Sequence, residues 1–225
     1  MARKIKTEQE KKKSRRRIII ILVVIILLGV GGYFGYKYLF KDNAPKKIVE
    51  VKELDNLSEY GYTLTDKDSK YFKSEYEVLK KLLTSGNVDE KEYATQVAKM
   101  FTIDLYTLST KINKYDVGGL EYYYNDKKDM FEKKVMDTLY SSLLDDTYGD
   151  REQILPEVTN IEVVTTEDTT YSLGDNEVKG YLVKLKITYD SDMGYDKEAS
   201  LVVCKEEGIR WSVVDFQPTL EPEYE

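Results

Sequence analysis

The sequence predicts an α+β fold, in which an N-terminal transmembrane helix is followed by a domain whose helices precede an antiparallel sheet. Three observations lead to this prediction. Residues 18–36 form an apolar run without a charge, apolar residues recur at helical spacing between about residues 67 and 144, and the alternation typical of strands begins after Pro156. The segment that follows the apolar run is long enough to form one hydrophobic core of its own.

The first predicted element is the apolar run, which contains 19 residues from Ile18 to Tyr36. At about 1.5 Å per residue a helix of this length covers roughly 28 Å, close to the ~30 Å hydrocarbon core of a bilayer. A helix in a soluble core would show a polar face, and this run has none. Aromatic residues cluster at its far end, up to Phe40, as they do at membrane interfaces. We therefore predict a transmembrane signal anchor over residues 18–40.

A cleaved signal peptide is the alternative interpretation of this run, because such peptides also combine a basic start with an apolar middle. The run is longer than their usual apolar region of about 7–15 residues, and no A-x-A-like cleavage site follows it. No cysteine lies near its end, which argues against a lipoprotein. An anchor that is retained in the mature protein fits the sequence better.

Charge is divided between the two sides of the apolar run. Residues 1–17 contain nine Lys or Arg and two Glu, whereas 24 basic and 39 acidic residues follow from Lys41 onward. Because basic residues flank the cytoplasmic end of spanning helices, residues 1–17 are predicted to be a cytoplasmic tail and the C-terminal domain to be extracellular. The expected partners are the lipid bilayer and other membrane or envelope proteins. We expect no nucleic-acid partner, because the outer part is too acidic to attract a phosphate backbone.

Gly31 and Gly35 form a G-x-x-x-G pair inside the predicted anchor. Small residues at this spacing allow two spanning helices to approach closely. Glycine is also common in spanning helices that do not pair. The pair therefore identifies a candidate helix-pairing face and makes a homo-oligomer one possible assembly.

The outer part is predicted to consist of a linker, one domain and a short tail. Residues 41–66 are polar, contain Pro45 and show little periodicity, which indicates a linker. The α+β domain is predicted over residues 67–218, and residues 219–225 are predicted to be a disordered tail.

Three helices are predicted at the start of the domain. The first ends before Gly86, and the second begins at Asp89, where Glu92 three residues later resembles a capping box, and continues to Asn113. A third helix is predicted to begin near Asp126. Its expected apolar face consists of Met130, Phe131, Val135, Leu139, Leu143 and Leu144.

Strands are predicted after Pro156. The segment from Tyr181 to Tyr189 alternates apolar and polar residues, as a half-buried strand does. Two further apolar segments flank the short connection Glu206–Gly208, which indicates a hairpin. Cys204 lies in the first of these segments and is interpreted as a buried apolar residue of a strand.

The residue types exclude several kinds of chemistry. The chain has no histidine and one cysteine, so it lacks an intrachain disulfide and the Ser-His or Cys-His pairs of many hydrolases. The stretch Asp190-x-Asp192-x-Gly194-x-Asp196 superficially resembles a calcium loop, but the fifth and twelfth positions lack the oxygen ligands that an EF-hand needs. We therefore predict no metal, no cofactor and no catalytic residue.

The tyrosine-rich segment after the second helix is the first candidate surface. Gly118 and Gly119 can end the helix and turn the chain back onto its own core. Tyr122, Tyr123 and Tyr124 follow, and consecutive side chains point in different directions. We expect at least one of the three rings to be buried and at least one to be exposed as an interaction residue.

Asp104 is the second candidate, because its spacing from the apolar residues of the second helix places it on or beside the buried face. A carboxylate in that position needs a donor, for which Thr107, Lys111 or a tyrosine hydroxyl is available. A polar residue satisfied at the edge of the core is one interpretation. A residue that lines a pocket is the other.

The order of elements resembles the cone-shaped nuclear-transport-factor-2-like fold over about residues 67–218. Helices are followed by a meander of strands that closes on GIRWSVVDFQP, in which Gly208 turns the hairpin and Trp211 would enter the cone. The resemblance implies a pocket in which an Asp works with tyrosines, here Asp104 with Tyr106, Tyr123 and Trp211 as candidates. It therefore implies, as an alternative function, a small-molecule-binding or lyase-like protein.

The arrangement of a basic tail, one span, a short stalk and such a domain also resembles the single-pass assembly components of type IV secretion and conjugation machines. This second resemblance rests on the arrangement alone. It implies a non-catalytic interaction module outside the membrane, and this is the function that we predict.

Overall fold

The computed structural model describes residues 22, 24–36, 47–174, 176–206 and 208–218. The chain divides into two units, Met1–Lys47 and Ile48–Glu225. The predicted cytoplasmic tail, residues 41–46 of the predicted linker and the predicted C-terminal tail lie outside the described residues, as does part of the predicted anchor.

The first unit contains one helix, α1, in its described part, at residues 22 and 24–36. Within the described residues, no helix combines the length and the apolar character that a membrane crossing requires. Gly31 and Gly35 lie in α1, and a Cβ atom added to either would meet no atom of this chain within 4 Å.

The second unit is α+β, and its helices precede a four-stranded antiparallel sheet, which confirms the predicted fold class at this level. Single-turn 3-10 helices occupy Leu108–Thr110, Leu120–Tyr122 and Asn125–Lys127. The main elements are β1 (Glu53–Leu57), β2 (Tyr62–Thr65), α2 (Lys70–Thr84), α3 (Glu90–Tyr106), α4 (Lys128–Asp137), β3 (Val158–Leu173), β4 (Asn176–Tyr189), β5 (Glu198–Lys205) and β6 (Trp211–Pro218).

The large sheet is a meander in which β3, β4, β5 and β6 pair in chain order, all antiparallel. Its inner face follows the predicted alternation in β4, where Val183, Leu185 and Ile187 are buried. Helix α3 contacts all four strands and buries most of its own residues against them. Cys204 is buried in β5, as the sequence predicts.

The predicted start of α3 is confirmed, because the Asp89 carboxylate accepts a hydrogen bond from the backbone N–H of Glu92 at 2.9 Å. The predicted end at Asn113 is wrong, since α3 ends at Tyr106 and Thr107 leaves the helical region with ψ 80°. In a continued helix Lys111 would lie about 10 Å along the axis from Asp104. The break allows Lys111 to fold back onto Asp104, which it contacts directly.

The predicted linker is wrong for residues 53–65, which form the antiparallel hairpin β1–β2. Tyr62 is fully buried, and its hydroxyl lies 2.9 Å from the Tyr93 hydroxyl and 3.1 Å from the Trp211 carbonyl oxygen, to which it donates. The hairpin turns at Gly61, which has φ 70°. Strand β2 is therefore part of the hydrophobic core through Tyr62 and Leu64, whereas β1 has no buried residue.

The predicted third helix is shorter than expected. Phe131, Val135 and Leu143 are buried as predicted, but Met130 is 70% exposed and Leu144 is 60% exposed. Helix α4 ends at Asp137 because the following residues turn inward, and the Tyr140 hydroxyl donates to the Leu105 carbonyl oxygen of α3 at 2.8 Å.

The predicted N-cap of this helix is also wrong. Asp126 does not cap α4, which begins at Lys128 without a side-chain cap. The Asp126 carboxylate instead accepts a hydrogen bond from the Tyr124 hydroxyl at 3.2 Å.

Replacing Gly180 with alanine tests the close packing between β4 and β5. A Cβ atom at this buried position would lie 2.6 Å from the Cys204 Sγ and 2.6 Å from the Val203 carbonyl oxygen. Because a backbone atom cannot move aside cheaply, Gly180→Ala should lower the free energy of unfolding by about 1–3 kcal/mol. Denaturant unfolding of the detergent-solubilised chain, followed by the fluorescence of the single tryptophan, Trp211, measures this change. The exposed neighbour Lys179→Ala is the control, and an equal effect of both substitutions would contradict the prediction.

Candidate functional site

Asp104 lies near the end of α3 and holds two returning segments of backbone. The Lys111 ammonium donates to Oδ1, and the Gly119 backbone N–H donates to Oδ2 at 2.6 Å. Lys111 is one of the donors to Asp104 that the sequence analysis named. Both carboxylate oxygens of Asp104 are therefore engaged within the fold.

Gly118 and Gly119 are required where the loop between α3 and α4 packs against α3. A Cβ atom at Gly118 would lie 2.1 Å from the Asp104 carbonyl oxygen, and Gly119 has φ 80°. A Cβ atom at Gly119 would also lie 2.9 Å from the Phe101 ring. The predicted turn of the chain back onto its own core is confirmed, but the glycines do not end the helix, since α3 already ends at Tyr106.

Burial and charge act in opposite directions on Lys111. Its side chain is 8% exposed, and burial by itself lowers the pKa of a lysine. The charge and hydrogen bond of Asp104, together with Tyr140 and Asp116, outweigh burial and raise the pKa of Lys111 above its usual value. Lys111 therefore stays protonated in the pair and is poorly suited to act as a general base near neutral pH.

A cavity of about 260 Å³ adjoins the Asp104–Lys111 pair. Three more carboxyl groups line it, and each accepts a hydrogen bond from backbone: Asp68 from Thr65 at 2.6 Å, Asp116 from Ile112 at 2.8 Å, and Glu121 from Thr63 at 2.8 Å. Burial raises the pKa of Asp68 and of Glu121. Within the part of the chain that the structure describes, no group of three or more His, Cys, Asp or Glu is arranged to hold a metal ion.

The tyrosine segment pairs with the edge of the sheet instead of facing solvent. The Tyr124 backbone N–H donates to the Val213 carbonyl oxygen of β6 at 2.9 Å. Tyr122 is fully buried and stacks on Tyr62 at 4.7 Å between ring centroids, and Tyr123 stacks on Phe131 at 4.2 Å. The prediction that at least one of the three rings is buried is therefore confirmed, and core elements cover the candidate interaction residues Tyr122 and Tyr123. Tyr124 is half-buried.

The four predicted pocket residues do not meet at one site. Asp104 lines the cavity described above, whereas Tyr106 and Tyr123 line a second cavity between α4, the end of α3 and β6. We call this second space the α4 cavity. Trp211 is buried elsewhere and packs against Tyr181 at 5.3 Å between ring centroids.

Asp196 also lines the α4 cavity, which the sequence did not predict. The Tyr106 hydroxyl donates to the Asp196 carboxylate at 2.5 Å, although the two residues are 90 positions apart. The sequence analysis considered Asp196 only as part of the stretch that superficially resembles a calcium loop. No local pattern indicates that its loop folds under α4.

A double-mutant cycle on Asp104 and Lys111 tests the energetic role of the pair. Asp104→Ala or Lys111→Met alone should each cost about 3 kcal/mol of unfolding free energy, because each leaves a largely buried partner uncompensated. The double variant should lose about 2 kcal/mol less than the sum of the single losses. Denaturant unfolding monitored by Trp211 fluorescence gives all four values. The exposed pair Asp192–Lys197 serves as the control and should show no measurable coupling. Equal coupling energies in the two pairs would contradict a structural role for the Asp104–Lys111 pair.

The raised pKa of Glu121 predicts a pH effect of defined sign. The folded state holds the Glu121 proton more tightly than the unfolded state, where the pKa is about 4.3. The contribution of this group to stability therefore falls as the pH rises from about 4.3 through the folded pKa. Glu121→Gln should remove this contribution, so its unfolding free energy relative to the unsubstituted chain should be higher at pH 7 than at pH 5.

Glu75 provides a control of opposite sign for this measurement. Burial raises the pKa of Glu75, but hydrogen bonds from Gln96 and Lys99 outweigh burial and lower it. The stability that Glu75 contributes is therefore lost as the pH falls below about 4.3, so Glu75→Gln should lose more stability at pH 5 than at pH 3.5. Shifts of the same sign in both variants would refute the electrostatic account of the cavity.

The comparisons with known proteins identify no relative of this chain. No protein-family model matches the chain, and no curated protein or solved structure matches it either. Its function is therefore argued from its own residues.

Proposed function

We propose that this chain is a membrane-anchored, extracytoplasmic module that assembles with other proteins of a bacterial envelope or of a secretion or conjugation complex, and that it acts without catalysis. Residues 18–40 are the proposed single-pass anchor, the N-terminus lies in the cytoplasm, and the α+β domain lies outside. The proposed fold of that domain is the cone-like fold related to nuclear transport factor 2. The order of helices followed by an antiparallel meander supports this fold.

The charge pattern supports the anchor and its orientation. The apolar run is as long as a bilayer core is thick, and basic residues flank only its N-terminal end. Gly31 and Gly35, four positions apart in α1, lie on one face of the helix and offer a surface for pairing with a second anchor.

The observation that carries the assembly role is a group of exposed apolar side chains on loops that are held rigidly. The Arg151 guanidinium is almost fully buried and donates to the backbone oxygens of Lys111 at 2.8 Å, Leu144 at 3.1 Å and Ser109 at 3.2 Å. Arg151 thereby joins the loop after α3 to the loop before β3. We call this region the Arg151 end of the domain.

Large apolar side chains of the Arg151 end face the solvent. Ile154 is 78% exposed, and Tyr115 and Leu144 are also exposed. Ile48, where the chain enters the folded unit, is exposed as well, and the neighbouring Val49 N–H donates to the Thr147 carbonyl oxygen at 2.9 Å. Exposed apolar groups on well-ordered loops are typical of protein-contact surfaces, since the loops lose little entropy on binding.

The geometry of Asp104 weighs against the alternative function, a lyase-like or small-molecule-binding pocket that uses this residue. A general base must present an oxygen lone pair to a substrate proton, and each hydrogen bond from the fold leaves fewer lone pairs for this purpose. Both oxygens of Asp104 already accept hydrogen bonds, from Lys111 and Gly119. The tyrosines proposed to assist it lie at other places in the fold.

Single-cysteine labelling in intact cells tests both the location of the domain and its assembly. Cys204 is buried, and burial raises its pKa to about 11, so the native thiol should react slowly. Ile154→Cys should react with a membrane-impermeant maleimide–benzophenone reagent added to intact cells. Illumination should then crosslink it to other envelope proteins, which mass spectrometry identifies.

Two control variants test the orientation of the chain and the specificity of the crosslinking separately. Ser14→Cys, in the proposed cytoplasmic tail, should remain unlabelled until the cells are permeabilised. Glu177→Cys, exposed on β4, should be labelled but should capture few proteins. Labelling of Ser14→Cys without labelling of Ile154→Cys would refute the orientation, and capture of the chain only by itself would refute assembly with other proteins.

A further inference from the structure

Strand β3 lies at the edge of the large sheet, because β4 is the only described strand that pairs with it. The Ile161 N–H donates to the Tyr71 hydroxyl of α2 at 2.9 Å, which covers the start of this edge. No further backbone partner follows among the described residues, so the edge is open from residue 162 onward. The residues along it are exposed or half-buried.

The pairing with β4 shows which backbone groups of β3 are left over. Successive residues of a strand point their N–H and C=O groups to alternate edges, and opposite residues of an antiparallel pair point either toward each other or apart. The Ile187 N–H of β4 donates to the Lys197 carbonyl oxygen at 2.8 Å, away from β3. The odd-numbered residues of β4 therefore point away from β3, and the residues opposite them point to the open edge. In the open part these are Thr166, Asp168 and Thr170, opposite Val183, Tyr181 and Lys179.

The open part of β3 lacks the features that usually protect an edge strand. Natural sheets prevent further pairing with Lys, with Pro, with bulges or with a covering segment. Residues 158–173 contain no Lys, Arg or Pro, and the bulge between Val163 and Thr165 lies before the open residues. Threonine and tyrosine, which favour strands, make up most of residues 165–171. The edge is therefore suited to accept another strand.

Two adjacent carboxylates, Glu167 and Asp168, stand in the middle of the open part. Both residues are exposed, and they lie opposite Leu182 and Tyr181 of β4, which carry no charge. Neither carboxylate forms an ion pair with a described residue. Because successive side chains of a strand point to opposite faces, one carboxylate lies on each face of the sheet.

The lysines of β4 do not remove this negative charge from the edge. Lys184 lies opposite Thr165 and Lys179 lies opposite Thr170, so each is only a diagonal neighbour of a carboxylate. A strand added to β3 would lie about 5 Å from β3 but about 10 Å from β4. Since charges in salt solution are screened over about 8 Å, the added strand would mainly meet the carboxylates of β3.

We propose that the open edge of β3 binds an extended basic segment of another protein, which adds a fifth strand to the sheet and places two successive Lys or Arg residues beside Glu167 and Asp168. Backbone hydrogen bonds to the edge provide the attachment, and the two opposite-charge pairs, one on each face, provide the selectivity. The segment of β3 that accepts the partner is Thr166–Thr170. The tip of the hairpin, which includes Glu177, is left free.

A second copy of β3 is a poorer occupant of this edge. Its only charged residues are the carboxylates of Glu162, Glu167 and Asp168, so pairing two copies would bring six carboxylates together without a cation from either strand. The proposed interface uses neither the anchor nor the Arg151 end. This inference and the proposed function can therefore fail independently.

Matched peptides test both the pairing and the preference for basic residues. Fluorescein-labelled peptides of about eight residues alternate threonine and valine around a central pair of lysines or, separately, of glutamates. A third peptide has the lysine pair and N-methyl groups on its central backbone nitrogens. Each is titrated with the full chain in phosphatidylcholine nanodiscs, fluorescence anisotropy measures binding, and empty nanodiscs give the contribution of the lipid.

We expect the lysine peptide to bind at least about tenfold more tightly than the glutamate peptide, because opposite-charge pairs replace like-charge pairs at two positions. N-methylation should weaken the lysine peptide by a similar factor, since it removes backbone donors and leaves the charge unchanged.

Two pairs of variants assign the binding to the edge of β3. Thr170→Pro removes an N–H group that β4 does not use, so it should weaken the lysine peptide, whereas Thr170→Ala keeps that group and should not. Glu167→Gln combined with Asp168→Asn should abolish the preference for lysine. Asp129→Asn combined with Asp137→Asn removes the same charge from exposed positions of α4 and should leave the preference unchanged.

Several results would overturn the proposal. One is equal affinity for the lysine and glutamate peptides, or no binding above that of empty nanodiscs. Another is unchanged affinity after N-methylation, or in Thr170→Pro while Trp211 fluorescence shows a folded chain. If Thr170→Pro does not fold, an unchanged preference in the Glu167 and Asp168 double variant decides. A chain that light scattering shows to be oligomeric with Thr170→Ala and monomeric with Thr170→Pro would assign the edge to a second copy instead.

Discussion

Asp104 joins parts of the chain that would otherwise be separate. Its carboxylate receives the Lys111 ammonium from the turn after α3 and the Gly119 N–H from the loop that leads to α4. The Lys111 carbonyl oxygen in turn accepts a hydrogen bond from Arg151, which also holds the backbone at Leu144. One largely buried ion pair thus connects the end of the central helix to the loops that display the exposed apolar residues. Removing either partner would leave an uncompensated charge in a largely buried place, so the pair constrains how these segments are arranged.

Tyrosine carries much of the packing around this connection. Six tyrosines are fully buried: Tyr62, Tyr76, Tyr93, Tyr106, Tyr122 and Tyr140. Their rings fill the space between the hairpin, the helices and the sheet, while most of their hydroxyl groups find partners inside the fold. The tyrosine-rich composition, which also suggested adhesive surfaces, is therefore explained to a large extent by the core. The Tyr122 hydroxyl is an exception, since it is buried without a hydrogen-bond partner among the described residues.

The two candidate sites differ in what remains available to a ligand. Around Asp104, backbone or side-chain donors already satisfy the carboxyl groups, and the cavity is small. The α4 cavity is larger and more apolar, and Asp196 in its lining has one covered carboxyl oxygen without a donor among the described residues. The residue that the sequence favoured for chemistry is thus used for structure.

The sequence by itself determined the class of the domain, the start of α3, the strand alternation of β4 and the buried position of Cys204, and it predicts the anchor and its orientation. These features follow from periodicity, capping and charge, which depend on residues within a few positions of one another. Only the tertiary structure decided that α3 breaks at Thr107, that Tyr122 and Tyr123 are covered, and that residues 53–65 form a hairpin whose second strand joins the core. It also brought Asp196 to Tyr106. These outcomes depend on contacts between residues far apart in the chain, for which a single sequence has no local signal, and burial then overrides the local preference of each segment.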